Sequence, residues 1–389
     1  MAFILKNPTQ ENKGIIMLTH KETNLNNLLK KYRSRYLIGV HVGWDLSNNS
    51  NSVMSFKPDF VLSSFSHLGH NVPRDIVIEL NARNFLPNHF NFENKDKNQL
   101  LESIIKLNEA SDPQIAKRII DKVNVTEDAN VWDIIWVNRP TINKQIKSFL
   151  DNLKRLFEVY GMYETLIVCG YTKAEKEDIN HKSYFDVETY INKIFTEKER
   201  EYISLSRPWA GEGCLGISTY YIAPLYHWSK VYTFYSGVEG DARSLHEALC
   251  GKCKVIYYKN LKGAGKDYLD KDNSLYFENY SESYKTLYNA IQDDKEFDLD
   301  FINSKCFQSN SFKVLKDELV KIYKKNGEDF DGILNEEYSL NLELAAHNEK
   351  TAPWKDPSKV TADLIPKNFD KFVKHSTILM DGDGNEIIF

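Results

Sequence analysis

Short apolar segments alternate with helix-forming segments along most of this 389-residue chain. A continuous apolar run bounded by polar or turn residues is typical of a strand that is buried on both faces. Alternation of such strands with helices predicts a parallel sheet of the α/β class. In the first part of the chain the predicted elements are strands at 14–20, 36–42 and 59–64, a helix at 23–31, and a strand running into a turn at 85–88.

The alternation continues in the second part of the chain. Predicted strands lie at 131–137, 165–169, 202–205, 231–235 and 254–258. An amphipathic helix follows the first of them, and Pro140 suits its first turn. The apolar stripe of that helix consists of Ile146, Phe149, Leu150, Leu153, Leu156 and Phe157. These elements predict a doubly wound parallel sheet, in which ligands bind at the carboxyl ends of the strands.

Composition excludes several classes of protein. The net charge of −5 gives no general attraction to phosphate polymers, so nucleic acid is not expected as a partner. No apolar run is long enough to cross a bilayer, and the start of the chain lacks the pattern of a signal peptide. Five cysteines without a disulfide-like pattern fit a reducing compartment. The pair Cys250 and Cys253 has no second pair that would complete a zinc site. The chain is therefore expected to be cytoplasmic.

One short segment is rich in cations and aromatic rings although the chain as a whole carries a net negative charge. This segment, residues 30–36, has the sequence Lys-Lys-Tyr-Arg-Ser-Arg-Tyr. Either these cations complement the C-terminal dipole of a helix, or the run forms a surface that touches anionic lipid or a phosphorylated acceptor. The second alternative leaves weak peripheral contact with a membrane open.

Cationic residues follow the predicted strand 131–137. Asn138 and Arg139 come directly after it, and Lys144 comes five residues after the arginine. Two cations beside the amides of a helix start would meet a diphosphate with both charge and hydrogen-bond donors. The alternative is that both side chains are simply solvated.

Carboxylates and glycines follow the predicted strand 231–235. Gly237 and Gly240 let the backbone approach a ligand closely. Glu239 lies before the next helix, whereas Glu247 lies on it. The spacing of eight residues is just over two helical turns, so the two carboxylates are not expected to share one helix face.

Glu247 has two alternative interpretations. Its carboxylate could accept hydrogen bonds from both hydroxyls of a ribose. Alternatively, Ser244-Leu-His-Glu247 is a formal capping box that begins the helix. Asp241 could equally serve as the N-cap residue.

Taken in order, these segments resemble the nucleotide-binding lobe of retaining GT-B glycosyltransferases, particularly family 4. The similar segments are 134–144, 165–170, 222–231, 236–258 and 273–291, which cover most of residues 131–292. That family has a strand ending in Gly-Arg with a lysine five residues on, and later a Glu-x7-Glu motif. Arg139, Lys144, Glu239 and Glu247 match this pattern in spacing and order.

The resemblance implies a GT-B architecture, with two Rossmann-like lobes facing across a cleft, and a role for each matching residue. Arg139 and Lys144 would hold the donor diphosphate, and Glu247 would hold the ribose. Glu239 would lie against the donor sugar near its reacting face. The implied catalytic residues are Glu239, Asp241 and His41, and the implied donor-binding residues are Arg139, Lys144, Glu247, Ser244, Gly240 and Arg243.

The sequence departs from the family pattern at three places. Asn138 stands where glycine is usual, and Gln145 follows the lysine where glycine is common. Asp241-Ala242-Arg243 replaces small or aromatic residues where the transferred sugar would sit. These departures leave the donor sugar open, and Arg243 could answer a negatively charged one.

The first lobe resembles the family less closely. Residues 36–45 are similar to a strand that ends in a donor-contacting histidine, here His41. The segments 59–64 and 85–91 are similar to a later strand and to the turn that ends the lobe. The glycine-rich loop that follows the first strand in the family is absent, so the lobe is abbreviated. His41 could alternatively be a satisfied histidine at a strand end, and His70 is expected to have no role in the site.

The domain organisation follows from these observations. Residues 1–128 are expected to form the abbreviated N-terminal, acceptor-side lobe with a helical insertion at 94–125. Residues 129–300 are expected to form the nucleotide-sugar-binding lobe. The amphipathic helix within 301–389 would, by the resemblance, return to the first lobe.

The function implied by the resemblance is transfer of a sugar from a nucleoside-diphosphate sugar to a glycan, lipid-linked or protein acceptor with retention of configuration. Arg139, Lys144 and helix amides would stabilise the departing diphosphate, so neither a metal nor another cofactor is expected. Asp381-Gly-Asp383 is then expected to be a surface turn. Two alternatives remain: a non-hydrolysing sugar-nucleotide epimerase, and a catalytically silent module that binds nucleotide sugar or partners.

Overall fold

The computed structural model of the chain describes residues 2–19, 32–42, 46–63, 71–80, 86, 90–91, 96–108, 113–125, 130–169, 185–206, 219–241, 243–264, 266–300, 302 and 307–334. The chain divides into two compact units, Met1–Pro87 with Ser304–Phe389, and Asn88–Asn303. Each unit contains a sheet dominated by parallel strands. The expected α/β class with two Rossmann-like units is therefore confirmed.

The sheet of the first unit is buried on both faces. Its described strands are β1 (Ala2–Lys6), β2 (Gly14–Thr19), β3 (Tyr36–Val42), β4 (Phe60–Ser63) and β5 (Val77–Ile78), in that order across the sheet. β1 pairs antiparallel to β2, and the remaining pairs are parallel. Alternate residues of β2 enter different cores: Ile16 and Leu18 lie in one, Ile15 and Met17 in the other. Helix α1 (Leu46–Ser55) supplies Val53 to the first of these cores.

The predicted strands of this unit are confirmed with small shifts at their ends, and β1 and β5 are additions. Of the strand expected at 85–88, Leu86 forms an isolated parallel bridge with Phe307. The helix expected at 23–31 and the loop around His70 lie outside the described residues.

The described part of the basic run 30–36 is used inside the first unit. Tyr32 and Tyr36 are buried and pack edge to face. The Arg33 guanidinium donates to the carbonyl of Phe56 and, at 2.9 Å, to that of Lys57, at the end of α1. This contact places one cation of the run at the C-terminus of α1, a different helix from the one expected at 23–31, so both interpretations of the run stay predictions.

The second unit holds the larger parallel sheet. Its described elements, in chain order, are α2 (Lys97–Asn108), α3 (Pro113–Val125), β6 (Trp132–Asn138), α4 (Ile146–Tyr160), β7 (Thr165–Cys169), α5 (Val187–Ile194), α6 (Glu197–Arg200), β8 (Ile203–Ser206), α7 (Thr219–His227), β9 (Ser229–Phe234), β10 (Val238–Asp241), α8 (Arg243–Cys250), β11 (Lys254–Tyr258), β12 (Lys262–Ala264), β13 (Ser274–Phe277) and α9 (Ser283–Gln292). The described strands of the main sheet have the order β13-β11-β9-β6-β7-β8, and every pair is parallel. The predicted doubly wound parallel sheet is confirmed.

The start of helix α4 differs from the prediction. Pro140 was expected in its first turn, but α4 begins at Ile146. A short 3-10 turn, Ile142–Lys144, precedes it, and Gln145 then adopts a left-handed conformation that separates the two. From Ile146 onward the predicted apolar stripe packs against the sheet, with Phe149 and Leu153 in the same core as Trp136.

The boundary between the units also lies elsewhere than residue 128. The segment 88–128 belongs to the second unit, because α2 packs against both α3 and α7. The last described helix, α10 (Gln308–Lys325), belongs to the first unit. There Phe312, Leu315 and Leu319 pack against the apolar face of the first sheet.

Candidate functional site

The direction of winding reverses between β6 and β9. The chain runs from β6 outward through β7 to β8, then returns to β9 beside β6 and runs outward again through β11 to β13. The loops that leave β6 and β9 therefore diverge, which opens a crevice outside their carboxyl ends. The two sequence segments singled out above, 138–144 and 236–247, begin at these two strand ends.

The turn after β6 contains Arg139 and Lys144 and is closed by two backbone hydrogen bonds. The Arg139 carbonyl accepts from the Thr141 amide at 2.8 Å, and the Thr141 carbonyl accepts from the Lys144 amide at 2.9 Å. Both cationic side chains are partly exposed. The turn thus presents two positive charges beside the first turn of α4.

The residue after Lys144, Gln145, has a backbone conformation that favours glycine. Gln145 has φ 56° and ψ 32°, in the left-handed region where glycine is favoured. The family that this segment resembles commonly has glycine at this place. Here the Gln145 side chain accepts a hydrogen bond from the Ser148 hydroxyl at 3.1 Å, which partly offsets the conformational cost.

Substitutions at Gln145 should separate backbone strain from side-chain chemistry. Gln145→Gly is expected to keep the stability of the second unit or raise it slightly, because glycine adopts positive φ without strain. Gln145→Val is expected to lower the free energy of unfolding by about 1–3 kcal/mol, since a β-branched side chain is strained at positive φ. Urea denaturation of the two variants measures the difference, and equal stabilities would contradict the assigned backbone strain.

The glutamate segment runs from a short strand into helix α8. β10 pairs in parallel with β12, with Glu239 opposite Gly263 and an irregularity before Asp241. Glu239 therefore precedes the helix, as the sequence predicted. The side chains of Glu239 and Asp241 lie outside the described part of the structure, as does Ala242.

Glu247 is a buried carboxylate paired with an arginine one turn earlier. It is 7% exposed, and its Oε1 accepts from Arg243 Nε at 2.8 Å. Burial raises the pKa of Glu247 above its ordinary value, and the charge and hydrogen bond of Arg243 oppose that rise. The pair holds an oriented carboxylate in a region of low polarity.

The capping-box interpretation of Glu247 is wrong. Helix α8 begins at Arg243, so Ser244 is already inside the helix. The Ser244 hydroxyl accepts from the Tyr232 hydroxyl at 2.8 Å, and Glu247 accepts from a side chain. Neither side chain therefore makes the reciprocal bonds that define a capping box.

Tyr232 connects the two strand ends. Its hydroxyl donates to Ser244 and accepts from Asn138 Nδ2 at 3.5 Å. Asn138 is the residue that replaces the usual glycine at the end of β6. Sequence reasoning missed Tyr232, although a tyrosine inside a buried strand indicates that its hydroxyl has a hydrogen-bond partner.

An aromatic cluster surrounds the loop after β9. Tyr235, Tyr258, Phe277 and Tyr280 lie at or just beyond the carboxyl ends of β9, β11 and β13. The rings of Tyr258 and Tyr280 are stacked with centroids 4.8 Å apart, and the Tyr280 hydroxyl donates to the Tyr235 carbonyl at 3.0 Å. Tyr258 and Tyr280 remain partly exposed, so a flat ring could stack there. This cluster was not predicted either.

His41 lies in the first unit, near the end of β3, opposite Thr19 and Leu62 on the neighbouring strands. Its side chain is buried. Its role in catalysis stays a prediction.

Among the described residues, no group of three or more His, Cys, Asp or Glu side chains is arranged to hold a metal ion. Cys250 and Cys253 are buried thiols, and Cys253 Sγ donates to the Tyr226 carbonyl at 3.1 Å. Asp381 and Asp383 lie outside the described residues. Within the described ranges there is also no helix that is both long and apolar enough to cross a membrane.

No protein-family model matches the chain. No curated protein matches it. Solved structures with a similar fold include the GtfA/B complex, a glycosyltransferase from Rickettsia africae ESF-5, and TarM, with identities of 12, 13 and 11% and TM-scores of 0.46, 0.45 and 0.47. The alignments cover 77, 82 and 81% of this chain and 56, 74 and 56% of those chains. This chain therefore spans little more than half the length of the first and third. At these identities the likeness concerns the fold alone.

Proposed function

We propose that this chain transfers a glycosyl group from a nucleoside-diphosphate sugar to a glycan, lipid-linked or protein acceptor, with retention of anomeric configuration. The observation that carries the proposal is the meeting of two segments at one crevice. The turn with Arg139 and Lys144 leaves β6, and the segment from Glu239 to Glu247 leaves β9, on either side of the point where the winding reverses. Parallel sheets bind nucleotides at such points.

The diphosphate would lie between the two segments. Arg139 and Lys144 supply positive charge from one side, and the first amides of α8 supply hydrogen-bond donors from the other. As the bond between sugar and phosphate breaks, negative charge grows on the departing diphosphate. Groups placed around that charge stabilise the transition state more than the bound donor. The proposed reaction therefore uses side chains and amides of this chain and does not call for a metal ion.

Glu247 would bind the ribose. An ionised carboxylate accepts up to about four hydrogen bonds. Arg243 Nε occupies one site on Oε1, so acceptor capacity is left for two ribose hydroxyls. The aromatic pair Tyr258 and Tyr280 offers a stacking surface for the base near the same strand ends.

Three residues are proposed for the chemistry at the sugar. Glu239 would lie against the reacting face of the sugar, with Asp241 as the other nearby carboxylate. His41 is the third candidate. Retention by attack on the face of the leaving group needs no covalent intermediate. A double displacement would require a carboxylate beneath the anomeric carbon, for which Glu239 and Asp241 are the candidates.

Thermal-shift measurements with nucleotides test the proposal. UDP, GDP and CMP, alone and with attached sugars, should include at least one ligand that raises the melting temperature of the chain. At a hundred times its Kd the ligand should add about 2.7 kcal/mol, or roughly 5–10 °C. If none of these ligands stabilises the protein, the proposed function is wrong.

Turnover distinguishes transfer from other uses of the same site. Hydrolysis of the donor should be lost in Glu239→Ala and kept in Asp241→Ala; the reverse result would overturn the assignment of these two residues. Product analysis adds a second criterion, because an epimerised donor would indicate an epimerase. Tight nucleotide binding without turnover would indicate a binding module.

A further inference from the structure

Arg243 has more hydrogen-bond donors than the described structure uses. Its Nε donates to Glu247, but Nη1 and Nη2 are both buried and have no hydrogen-bond partner among the residues that the structure describes. The side chain as a whole is 16% exposed. Buried polar groups are satisfied in the great majority of cases, so two unsatisfied donors beside the proposed site make Arg243 a candidate for binding a ligand.

The geometry of the free donors restricts that missing group. A guanidinium carries five N–H donors in a rigid plane, and Arg243 has already used the one on Nε. The two terminal nitrogens remain, and they present parallel N–H groups at the spacing of two oxygens of one anion. A carboxylate fits this end of the fork with both oxygens in plane.

The position of Arg243 also matters. It is the first residue of α8 and lies two residues after the end of β10, close in sequence to Glu239 and Asp241, which the proposed function places beside the transferred sugar. The diphosphate already has two cations, Arg139 and Lys144, at the neighbouring strand end. Glu247 balances the charge of Arg243, so the pair carries no net charge before a ligand binds. Arg243 can nevertheless bind an anion through the N–H groups of Nη1 and Nη2.

We propose that Arg243 selects an acidic donor sugar: its Nη1 and Nη2 bind a carboxylate carried by the sugar, as in a uronic acid. This inference rests on the proposed function and adds the chemical class of the sugar. Donors whose sugar carries an uncharged hydroxymethyl group in place of the carboxylate would leave the fork unpaired and bind less tightly.

The test compares ligands that differ at this group alone. UDP, UDP-glucose and UDP-glucuronate are titrated by calorimetry, with GDP, GDP-mannose and GDP-mannuronate as the second series. In the series whose nucleotide binds, the acidic sugar nucleotide should bind about tenfold or more tightly than its neutral counterpart. Arg243→Lys keeps a cation beside Glu247 but loses the fork, and should lower the affinity for the acidic donor about tenfold more than the affinity for the free nucleotide, which removes most of that preference.

Arg200→Lys is the matched control. Arg200 lies on α6 in the same unit and donates to Asn192 at 2.8 Å, so its replacement should leave the preference intact. Equal binding of acidic and neutral donors by the unchanged protein would overturn the inference and leave the proposed function standing. A loss of free-nucleotide affinity in Arg243→Lys equal to the loss for the acidic donor would show that Arg243 acts on the nucleotide and not on the sugar, and would also overturn the inference. If neither UDP nor GDP binds, the inference about uronic acid donors fails. If CMP and its sugars also fail to stabilise the protein in the thermal-shift series, the proposed function fails as well.

Discussion

Arg139→Met should slow donor cleavage by about 10²- to 10³-fold in kcat. The arginine lies at the end of β6, where the growing negative charge of the diphosphate is proposed to appear. Methionine keeps much of the side-chain length but supplies neither charge nor donors. Since the interaction is stronger in the transition state than with the bound donor, kcat should fall more than KM rises.

Two comparisons make this result specific. Arg139→Lys retains the charge without the fork and should recover part of the rate. Arg155→Met removes another arginine of the same unit, one that donates to the Ser281 carbonyl at 2.9 Å, and should keep the wild-type rate. A rise in KM with unchanged kcat in Arg139→Met would show that Arg139 binds the donor without stabilising the transition state.

Arg243→Met should lower the free energy of unfolding by about 3–5 kcal/mol at neutral pH, because it leaves the buried Glu247 carboxylate without its partner. The effect should depend on pH. Burial already raises the pKa of Glu247 from its ordinary value of 4.5, and losing Arg243 raises it further. A raised folded-state pKa means that the folded state binds the proton more tightly. Stability therefore falls as pH rises from about 4.5 to the new folded-state pKa and then levels off.

Urea denaturation at acidic and neutral pH measures this effect. Trp132, Trp136 and Trp228 are buried in the second unit, so a variant with Trp44 and Trp354 replaced by phenylalanine gives tryptophan fluorescence that reports the unfolding of this unit. The difference in the free energy of unfolding between Arg243→Met and the unchanged protein should be smaller below pH 4.5, the ordinary pKa of Glu247. There the carboxyl is protonated in both the folded and the unfolded state. The double variant Arg243→Met/Glu247→Gln should regain much of the lost stability at neutral pH. If the difference in the free energy of unfolding is the same at both pH values, Glu247 is not the source of the lost stability.

The sequence predicted the second sheet well because its strands are buried on both faces. β7 and β11 have the predicted bounds, 165–169 and 254–258, since each is a continuous apolar run between turn residues. β5 could not be predicted in this way, because a strand of two residues is too short to show a periodic pattern. The start of α4 was misjudged because proline favours a first turn in general, whereas here the left-handed Gln145 decides where the helix begins.

The site was partly predictable for a similar reason. Arg139 and Glu247 stand at fixed distances from strand ends, and strand ends can be read from an apolar pattern. The bond between Tyr232 and Ser244 and the stacking of Tyr258 on Tyr280 join residues from different elements. No spacing along the chain reports such contacts, because the sheet order brings them together. The Arg243–Glu247 pair was within reach, as residues four apart on a helix are neighbours.

The division of the first unit between both ends of the described chain affects the order in which the protein folds during synthesis. The first sheet is complete in sequence once residue 80 has been made, yet one of its apolar faces is covered by Phe312, Leu315 and Leu319 of α10. At about 5–20 residues per second, the ribosome needs roughly 12–48 s to travel from residue 87 to residue 325. The second unit, which is continuous from 88 to 303, can therefore close before the first one does. During that interval Ile15, Met17 and Leu62 await their helix, so the nascent chain carries an exposed apolar surface that a chaperone could hold.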